Sequence, residues 1–239
     1  MSSGRVMYLR WEYSDISHAY SRILFSMNPD GTDQASYYGS NSYWPNSMFY
    51  ARPIPGAEGK FVTIVSGHHG LKRMGDLVLF DASKGRYEAN GVVQQIPGRG
   101  REVEPIILDK IASDSPIKFL HPWPLNEKYF LVAAQPVGTP RWGIYLVDVF
   151  DNMTLVKDDP THHLVEPVPL AATSRPPVLP DRVDLARNDA LISITDIYTG
   201  DGLKGVPRGS IKQLRLFTYN FAYYGMGGQG NRIGTDGPW

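Results

Sequence analysis

The chain contains no cysteine among its 239 residues. Disulfide frameworks, thiolate-bound zinc, iron–sulfur clusters, cysteine nucleophiles and covalent haem attachment through Cys-x-x-Cys-His are therefore excluded within it. An excess of charge of one sign is also absent, because 24 Lys and Arg residues balance 24 Asp and Glu residues. A neutral chain without a run of like charges offers no basic face, and we expect no nucleic-acid partner.

Long apolar runs are missing as well. The apolar stretches, such as residues 77–80, are only a few residues long, whereas a membrane-crossing helix needs about 20. The start of the chain passes from Met-Ser-Ser-Gly-Arg directly into the strand-like residues 6–9, without the apolar core of a signal peptide. The sequence therefore predicts no membrane insertion and no signal peptide in this chain.

Glycine and proline are plentiful instead, with 24 and 19 residues. The segments between them are short and rich in Val, Ile, Tyr and Phe, which is typical of an all-β chain. The predicted strands occur in pairs whose first members begin 55, 68 and 62 residues apart. The pairs are 6–11 with 23–27, 61–66 with 77–81, 129–134 with 144–149, and 191–196 with 213–218.

The segments that precede and follow the strand pairs also resemble one another. Three of the second strands run into turns rich in Asp, Asn and Gly, at 28–31, 81–85 and 148–152, which are the residues that tight turns need. Extended, proline-containing segments at 49–55 and 119–124 precede two pairs. An extended segment, two strands, a turn and a fourth strand form a four-stranded blade, and repeated blades indicate a TolB-like or WD40-like β-propeller. A two-sheet sandwich is the alternative, but it gives no reason for the repeat.

The repeat also predicts the domain organisation. We expect one β-propeller domain over residues 1–239, with blades at approximately 1–47, 48–115, 116–180 and 181–239. This period is longer than the roughly 40–50 residues of common blades, so long loops must separate the strands. Four blades are few for a ring, and we expect the chain to be a partial set of blades from a larger propeller.

Histidines provide the candidate polar sites. Ser66-Gly67-His68-His69-Gly70 follows a strand, and in a glycine-flanked loop both imidazoles can converge on one ligand or metal. The alternative is that both rings bond to loop backbone. We interpret His121 as a packed blade residue and the pair at 162–163 as part of a structural surface loop.

Two segments are dense in aromatic residues. The segment 37–47 has the composition of a sugar-stacking surface, but a connection packed by its own rings is favoured. The segment 217–224 alternates aromatic and smaller residues and ends at Tyr223 and Tyr224. A phenolate can ligate ferric haem, although tyrosines in strands more often serve packing.

Six segments of the chain, taken together and in order, resemble the middle domain of hydrazine synthase α-subunit-like proteins. They are Arg10-Trp11-Glu12-Tyr13-Ser14-Asp15, Leu24-Phe25-Ser26-Met27-Asn28-Pro29-Asp30-Gly31-Thr32, Tyr38-Gly39-Ser40-Asn41-Ser42, Arg52-Pro53-Ile54-Pro55-Gly56, Ser66-Gly67-His68-His69-Gly70 and residues 220–228. The resemblance covers most of the chain. Members of this family are exported bacterial multihaem proteins in which a six-bladed propeller is joined to domains that carry c-type haem.

The resemblance implies a periplasmic or otherwise exported scaffold that contributes groups to a redox haem pocket. The haem c would come from a neighbouring domain of the same parent protein or from a partner subunit, since this chain binds none covalently. His68, His69, Tyr223 and Tyr224 are then the candidate haem-pocket groups, while Asn220 stands where the family has a histidine. No catalytic residue and no metal site are assigned, and any enzymatic activity would be that of a haem-dependent oxidoreductase, not of this chain alone. The alternative function is a non-catalytic TolB-type envelope propeller that binds a protein or a glycan.

Overall fold

The fold of the chain is all-β in a computed structural model. The structure describes residues 1–13, 20–40, 42–67, 71–106, 110–189, 192, 194, 196–198 and 201–215. Within these ranges there are eleven strands and a single 3-10 turn at Asp201–Leu203. No helix in the described residues is long and apolar enough to cross a membrane. The chain forms two compact units, 1–184 and 185–239.

The strands belong to the first unit and form two sheets. The strands of the first sheet are β1 (Val6–Tyr13), β2 (Tyr20–Met27), β3 (Ala35–Tyr38), β4 (Ser47–Pro53), β5 (Lys60–Ser66), β6 (Asp76–Asp81) and β7 (Val92–Ile96). Those of the second sheet are β8 (Ile117–Pro124), β9 (Tyr129–Pro136), β10 (Gly143–Asp148) and β11 (Met153–Lys157).

Strands that follow one another in sequence pair antiparallel, in three groups that we call meanders. The first meander is β1–β3, the second is β4–β7 and the third is β8–β11. One parallel pair, Arg22 with Ser47, joins the first meander to the second. Three of the predicted strand pairs are confirmed as β1/β2, β5/β6 and β9/β10, and the two proline-containing segments are confirmed as β4 and β8.

The fourth predicted strand pair has a different outcome. Of its residues, 192, 194, 196 and 213–215 are described and belong to no strand, and the others lie outside the described residues. The two sheets are open, ending at β1 and β7 and at β8 and β11 in the described part of the chain. A ring of blades and the blade boundaries therefore stay predictions.

The second meander is buried on both faces. Alternate side chains of its strands point to opposite sides, and each of the two sets is covered by other residues. One face packs against the third meander, in a cluster of twelve buried side chains. They are Phe49, Ile54, Val62, Ile64, Leu77, Leu79, Ile96, Phe119, Phe130, Val132, Ala134 and Val147. The other face packs against residues from the first meander and from the connection after it, in a second cluster: Leu24, Tyr37, Tyr38, Trp44, Met48, Phe61, Val65, Val78, Phe80 and Ala82.

The predicted turns after the second strands of the pairs are confirmed. Gly31, with φ of 83°, donates its N–H to the carbonyl of Asn28 at 2.9 Å. The carboxylates of Asp81 and Asp148 accept backbone N–H groups two residues on, from Ser83 at 3.0 Å and Phe150 at 2.9 Å. Side-chain bonding of this kind stabilises tight turns locally.

Residues 158–184, which we call the strap, follow β11 without forming a strand. The strap contains six prolines, which cannot donate to a sheet ladder. Its first part is held by the third meander, where Leu164 donates its N–H to the carbonyl of Trp142 at 3.0 Å. Its last part is held by the first meander, where Arg182 donates its N–H to Asp30 at 2.6 Å and forms an ion pair with Asp33. The strap therefore links the two outer meanders.

The second unit is held by polar contacts around one tyrosine. The phenol oxygen of Tyr198 accepts the N–H groups of Gly209 at 2.7 Å and Ile211 at 3.1 Å. The guanidinium of Arg208 lies over the ring of Tyr198 and bonds to Asp196.

Replacement of Tyr38 by Phe should destabilise the protein. The buried hydroxyl donates to the carbonyl of Glu88 at 2.7 Å and accepts the N–H of Gly91 at 3.0 Å, and without it two backbone groups lose their partner. We expect a loss of about 1–3 kcal/mol in the free energy of unfolding, measured by urea denaturation. Tyr129→Phe is the matched control, since Tyr129 is exposed, and an equal effect of both changes would contradict the assignment.

The same hydroxyl predicts a pH dependence at high pH. Burial raises the pKa of Tyr38 to about 12, with the N–H of Gly91 opposing the shift. Because the folded pKa lies above the unfolded value near 10, the stability from this group is complete below pH 10 and is lost as pH rises through about 12. The free energy of unfolding of Tyr38→Phe should therefore fall less steeply over this range than that of the wild type.

Candidate functional site

The candidate haem-pocket residues cannot be placed in the fold. His68, His69, Tyr223 and Tyr224 all lie outside the described residues, as does Asn220. Their assignment stays a prediction from the sequence.

Other sequence interpretations are confirmed. In the aromatic segment at 37–47, Tyr37, Tyr38 and Trp44 are buried in the cluster against the second meander, which agrees with packing and not with a sugar-binding surface. The histidines at 162–163 are exposed, and the Nδ1 atom of His163 accepts the N–H of Trp142 at 3.2 Å. His121 of β8 packs on the ring of Tyr50 of β4, with the two ring centroids 4.3 Å apart.

His121 also lines a cavity of about 640 Å³ that we call the junction cavity. The first strands of the three meanders, β1, β4 and β8, contribute to its wall, and the strap contributes the remaining side. Its lining residues are Met1, Arg5, Val6, Met7, Tyr50, Ala51, Arg52, Pro53, His121, Glu166, Pro167 and Val168. Sites at which several rigid elements meet are common places for ligand binding.

The same β-bulge occurs in β4 and in β8 where they reach the cavity. In β4 the regular pairing is interrupted between Phe49 and Arg52, and in β8 between Leu120 and Trp123. Two residues then face one on the partner strand, which bends the strand and redirects its side chains. Bulges recur next to active sites, and here two of them converge on one cavity.

The two bulges place equivalent residues against each other. Tyr50 and His121 each occupy the first bulged position, with φ of 55° and 49°. Two residues further on, the guanidinium of Arg52 lies over the ring of Trp123, with 4.1 Å between its central carbon and the ring centroid. The cavity wall is therefore built from a repeated local structure that the two meanders share.

A third residue with positive φ faces this wall. Glu166 of the strap has φ of 56°, and its Oε1 atom lies 3.6 Å from Nε2 of His121. Positive φ in a non-glycine residue is uncommon, and each such residue costs on the order of 1–3 kcal/mol unless its surroundings hold it. Three of them at one cavity mark it as a functional candidate, because strain of this kind clusters at ligand sites.

The imidazole of His121 is neutral near pH 7. Burial lowers its pKa below 6.5, and the charge of Arg52 acts in the same direction, while Glu166 opposes both. Its Nδ1 atom is buried and has no hydrogen-bond partner among the described residues. An unsatisfied buried polar atom costs about 1–3 kcal/mol of folding free energy. The His121 ring therefore adds to the cost of the three positive φ values at the same cavity.

Arg52 supplies the positive charge of the cavity. Its guanidinium stacks on Trp123 and makes no hydrogen bond within the described part of the chain. Partial burial lowers the pKa of Arg52, while the negative charge of Glu166 opposes that shift. The phenol of Tyr50 is neutral near pH 7, since burial raises its pKa above 10. The wall thus presents a cation, a carboxylate, a phenol and a neutral imidazole beside the apolar residues at 6–7 and 167–168.

The described residues contain no group of three His, Asp or Glu side chains that could hold a metal ion. A separate cavity of about 750 Å³ is lined by Asp76 and by residues 110–115. Burial raises the pKa of the Asp76 carboxyl, while a hydrogen bond from Ser115 and the charge of Lys118 oppose the shift. The ammonium of Lys118 donates to the carbonyls of Ala112, Ser113 and Ser115. The junction cavity is the stronger candidate, because two β-bulges and three residues of positive φ converge on it.

Sequence reasoning missed Tyr50, Arg52 and Glu166. A signal for the first two was present, because residues 50–53 and 121–124 each run from a ring-bearing residue to a proline three positions later, ahead of a strand pair. Nothing in the sequence around Glu166 indicates that the strap brings it to His121.

Comparison of the chain with protein-family models, with curated proteins and with solved structures finds no significant match.

Proposed function

We propose that this chain is a β-propeller domain of an exported haem protein similar to the hydrazine synthase α-subunit. It acts as a scaffold and contributes groups to a redox haem pocket that a neighbouring domain or a partner subunit supplies. The observation that carries the proposal is the burial of the second meander on both faces, between the other two meanders.

Face-to-face packing of consecutive meanders favours a propeller over a sandwich. In a sandwich, one face of each sheet is covered and the opposite face is polar. In a propeller, every blade lies between two neighbours and is apolar on both faces, and the first strands of the blades approach the centre. The meeting of β1, β4 and β8 at the junction cavity agrees with this arrangement.

The haem partner is supported by the sequence and by the surface of the strap. The six segments that resemble hydrazine synthase α-subunit-like proteins occur in the same order as in that family. This resemblance implies that His68, His69, Tyr223 and Tyr224 are pocket groups. Apolar side chains stand exposed along the strap, among them Leu170 with a relative exposure of 107%. Neighbouring exposed apolar side chains are typical of a surface that another domain or subunit covers.

Haem titration tests the pocket groups. Addition of haemin to the purified chain should shift the Soret band, and the shift should be lost or strongly reduced in His68→Ala and in Tyr224→Phe, since imidazole and phenolate are iron ligands. His162→Ala and Tyr129→Phe, at exposed positions, should behave as wild type. A wild-type chain that leaves the Soret band unchanged would overturn the proposed haem contact.

A non-catalytic binding propeller of the cell envelope is the second candidate. The junction cavity favours it, because a preformed cavity with unsatisfied polar groups can hold a ligand without a cofactor. A chain that gives no Soret shift but binds a ligand at the junction cavity would select this function.

A further inference from the structure

The junction cavity is lined by two opposite charges that attract each other but are too far apart to form an ion pair. Arg52 and Glu166 both line it, and their side chains do not form an ion pair within the described residues. Glu166 is held beside His121, and its side chain is 73% exposed. Arg52 is held by its stack on Trp123. A cavity of this kind is complementary to a ligand that also carries two opposite charges.

The other two positive charges at the cavity, the α-ammonium of Met1 and the guanidinium of Arg5, are already hydrogen-bonded. The Met1 ammonium donates to the carbonyl of Arg5 at 2.9 Å. The guanidinium of Arg5 donates to Asn28 at 2.8 Å, to the carbonyl of Asp33 at 2.7 Å and to Ser26 at 3.3 Å. The imidazole of His121 is uncharged. Arg52 is the one of these cations that has no hydrogen bond in the described part of the chain, so it is the group we expect to receive an anion. A second negative charge on the ligand would meet Glu166.

The geometry of Arg52 suits a carboxylate. A guanidinium presents its N–H groups in a planar fork that matches two carboxylate oxygens, and the stack on Trp123 fixes the plane of that fork. The carboxylate of Glu166 accepts hydrogen bonds from an ammonium group. The cavity is also lined by the apolar residues Val6, Met7 and Pro167.

We propose that the junction cavity binds a free α-amino acid with an apolar side chain. The ligand carboxylate bonds to Arg52, its ammonium group bonds to Glu166, and its side chain lies against the apolar residues of β1 and the strap. This site is independent of the proposed haem pocket. It assigns a ligand to the cavity at which the bulges of β4 and β8 meet.

The test uses the full 239-residue chain and three ligands of the same shape, measured by isothermal titration calorimetry at pH 7. L-Leucine carries both charges, 4-methylpentanoate lacks the ammonium group, and 3-methylbutylamine lacks the carboxylate. We expect leucine to bind at least about tenfold more tightly than either, since each truncated ligand leaves one charged group of the cavity without its partner.

Two variants separate the two contacts. In Glu166→Gln, leucine should lose its advantage over 4-methylpentanoate but keep its advantage over 3-methylbutylamine. In Arg52→Gln, the opposite loss is expected. Arg86→Gln is the matched control, because Arg86 also stacks on a ring, that of Tyr37, away from the cavity, and it should leave all three affinities unchanged.

The outcomes are decisive in both directions. No saturable binding of leucine to the wild-type chain would overturn the proposal, as would equal binding of the three ligands or binding that neither variant alters. Tighter binding of the amine-free or carboxylate-free ligand would also overturn it. None of these results depends on haem, so the proposed function is tested separately.

Discussion

Phe61→Ala should lower the free energy of unfolding by about 3–5 kcal/mol. The side chain of Phe61 has no exposed surface and lies on the face of the second meander that packs against the first. Its ring stacks on Phe80 with 5.0 Å between the centroids and an angle of 4°. Tyr37 and Tyr38 approach it edge-on at 5.6 and 5.8 Å. Truncation removes all three ring contacts and leaves a cavity that the first and second meanders cannot close.

Phe150→Ala is the matched control for this prediction. Phe150 follows β10 and is 64% exposed, and its contribution to the turn is a backbone N–H that alanine retains. The same chemical change should cost less than about 0.5 kcal/mol there. Urea denaturation of both variants gives the comparison. Similar midpoints for the two variants would mean that the second meander is not packed on this face.

The loss at Phe61 should extend to the junction cavity. Phe61 is the register partner of Pro53 in β4, next to Arg52 at the bulge. A β5 strand that repacks would therefore change the position of Arg52. We infer that β4 has two tasks. Its side chains contribute to the buried clusters on both faces of the second meander, and its bulge positions the cavity wall.

Much of the strand order could be predicted from the sequence, because local signals determine it. Strands β5 and β6 are continuous apolar runs bounded by Gly and Asp, and such runs are typical of strands covered on both sides. The strand β11 was less visible, because four of its five residues are exposed and its pattern lacks a buried face. The strap carries apolar residues without periodicity, and its path depends on contacts such as that of Arg182 with Asp30.

The cavity could not be predicted for a different physical reason. Tyr50, His121 and Glu166 are far apart in the sequence and lie on β4, β8 and the strap. The sequence suggested a packing role for His121, and its stacking on Tyr50 confirms that role. The bulges and the positive φ values that bring these three together follow from sheet packing, which no local pattern encodes.

Gly75→Ala should destabilise the protein by about 3 kcal/mol, at the upper end of the usual cost of overpacking. Gly75 lies just before β6 and forms the bridge between the two sheets. Its carbonyl accepts the N–H of Phe119 at 2.9 Å, and its N–H donates to the carbonyl of Phe119 at 3.3 Å. A Cβ atom at this position would lie 2.1 Å from the carbonyl oxygen of Val65. Because the obstacle is backbone, β5 must move away or the bridge to β8 must break.

Gly202→Ala is the control for this change, since a Cβ atom there meets no atom within 4 Å. We expect its effect to remain within about 0.5 kcal/mol in urea denaturation. Gly75→Ala should also weaken leucine binding, because the bridge to Phe119 sets the position of β8 and thereby that of His121 and Trp123. A Gly75→Ala protein with wild-type stability would show that the second and third meanders are not held together at this point. Unfolding with a low midpoint would instead show that the two sheets depend on this close backbone approach.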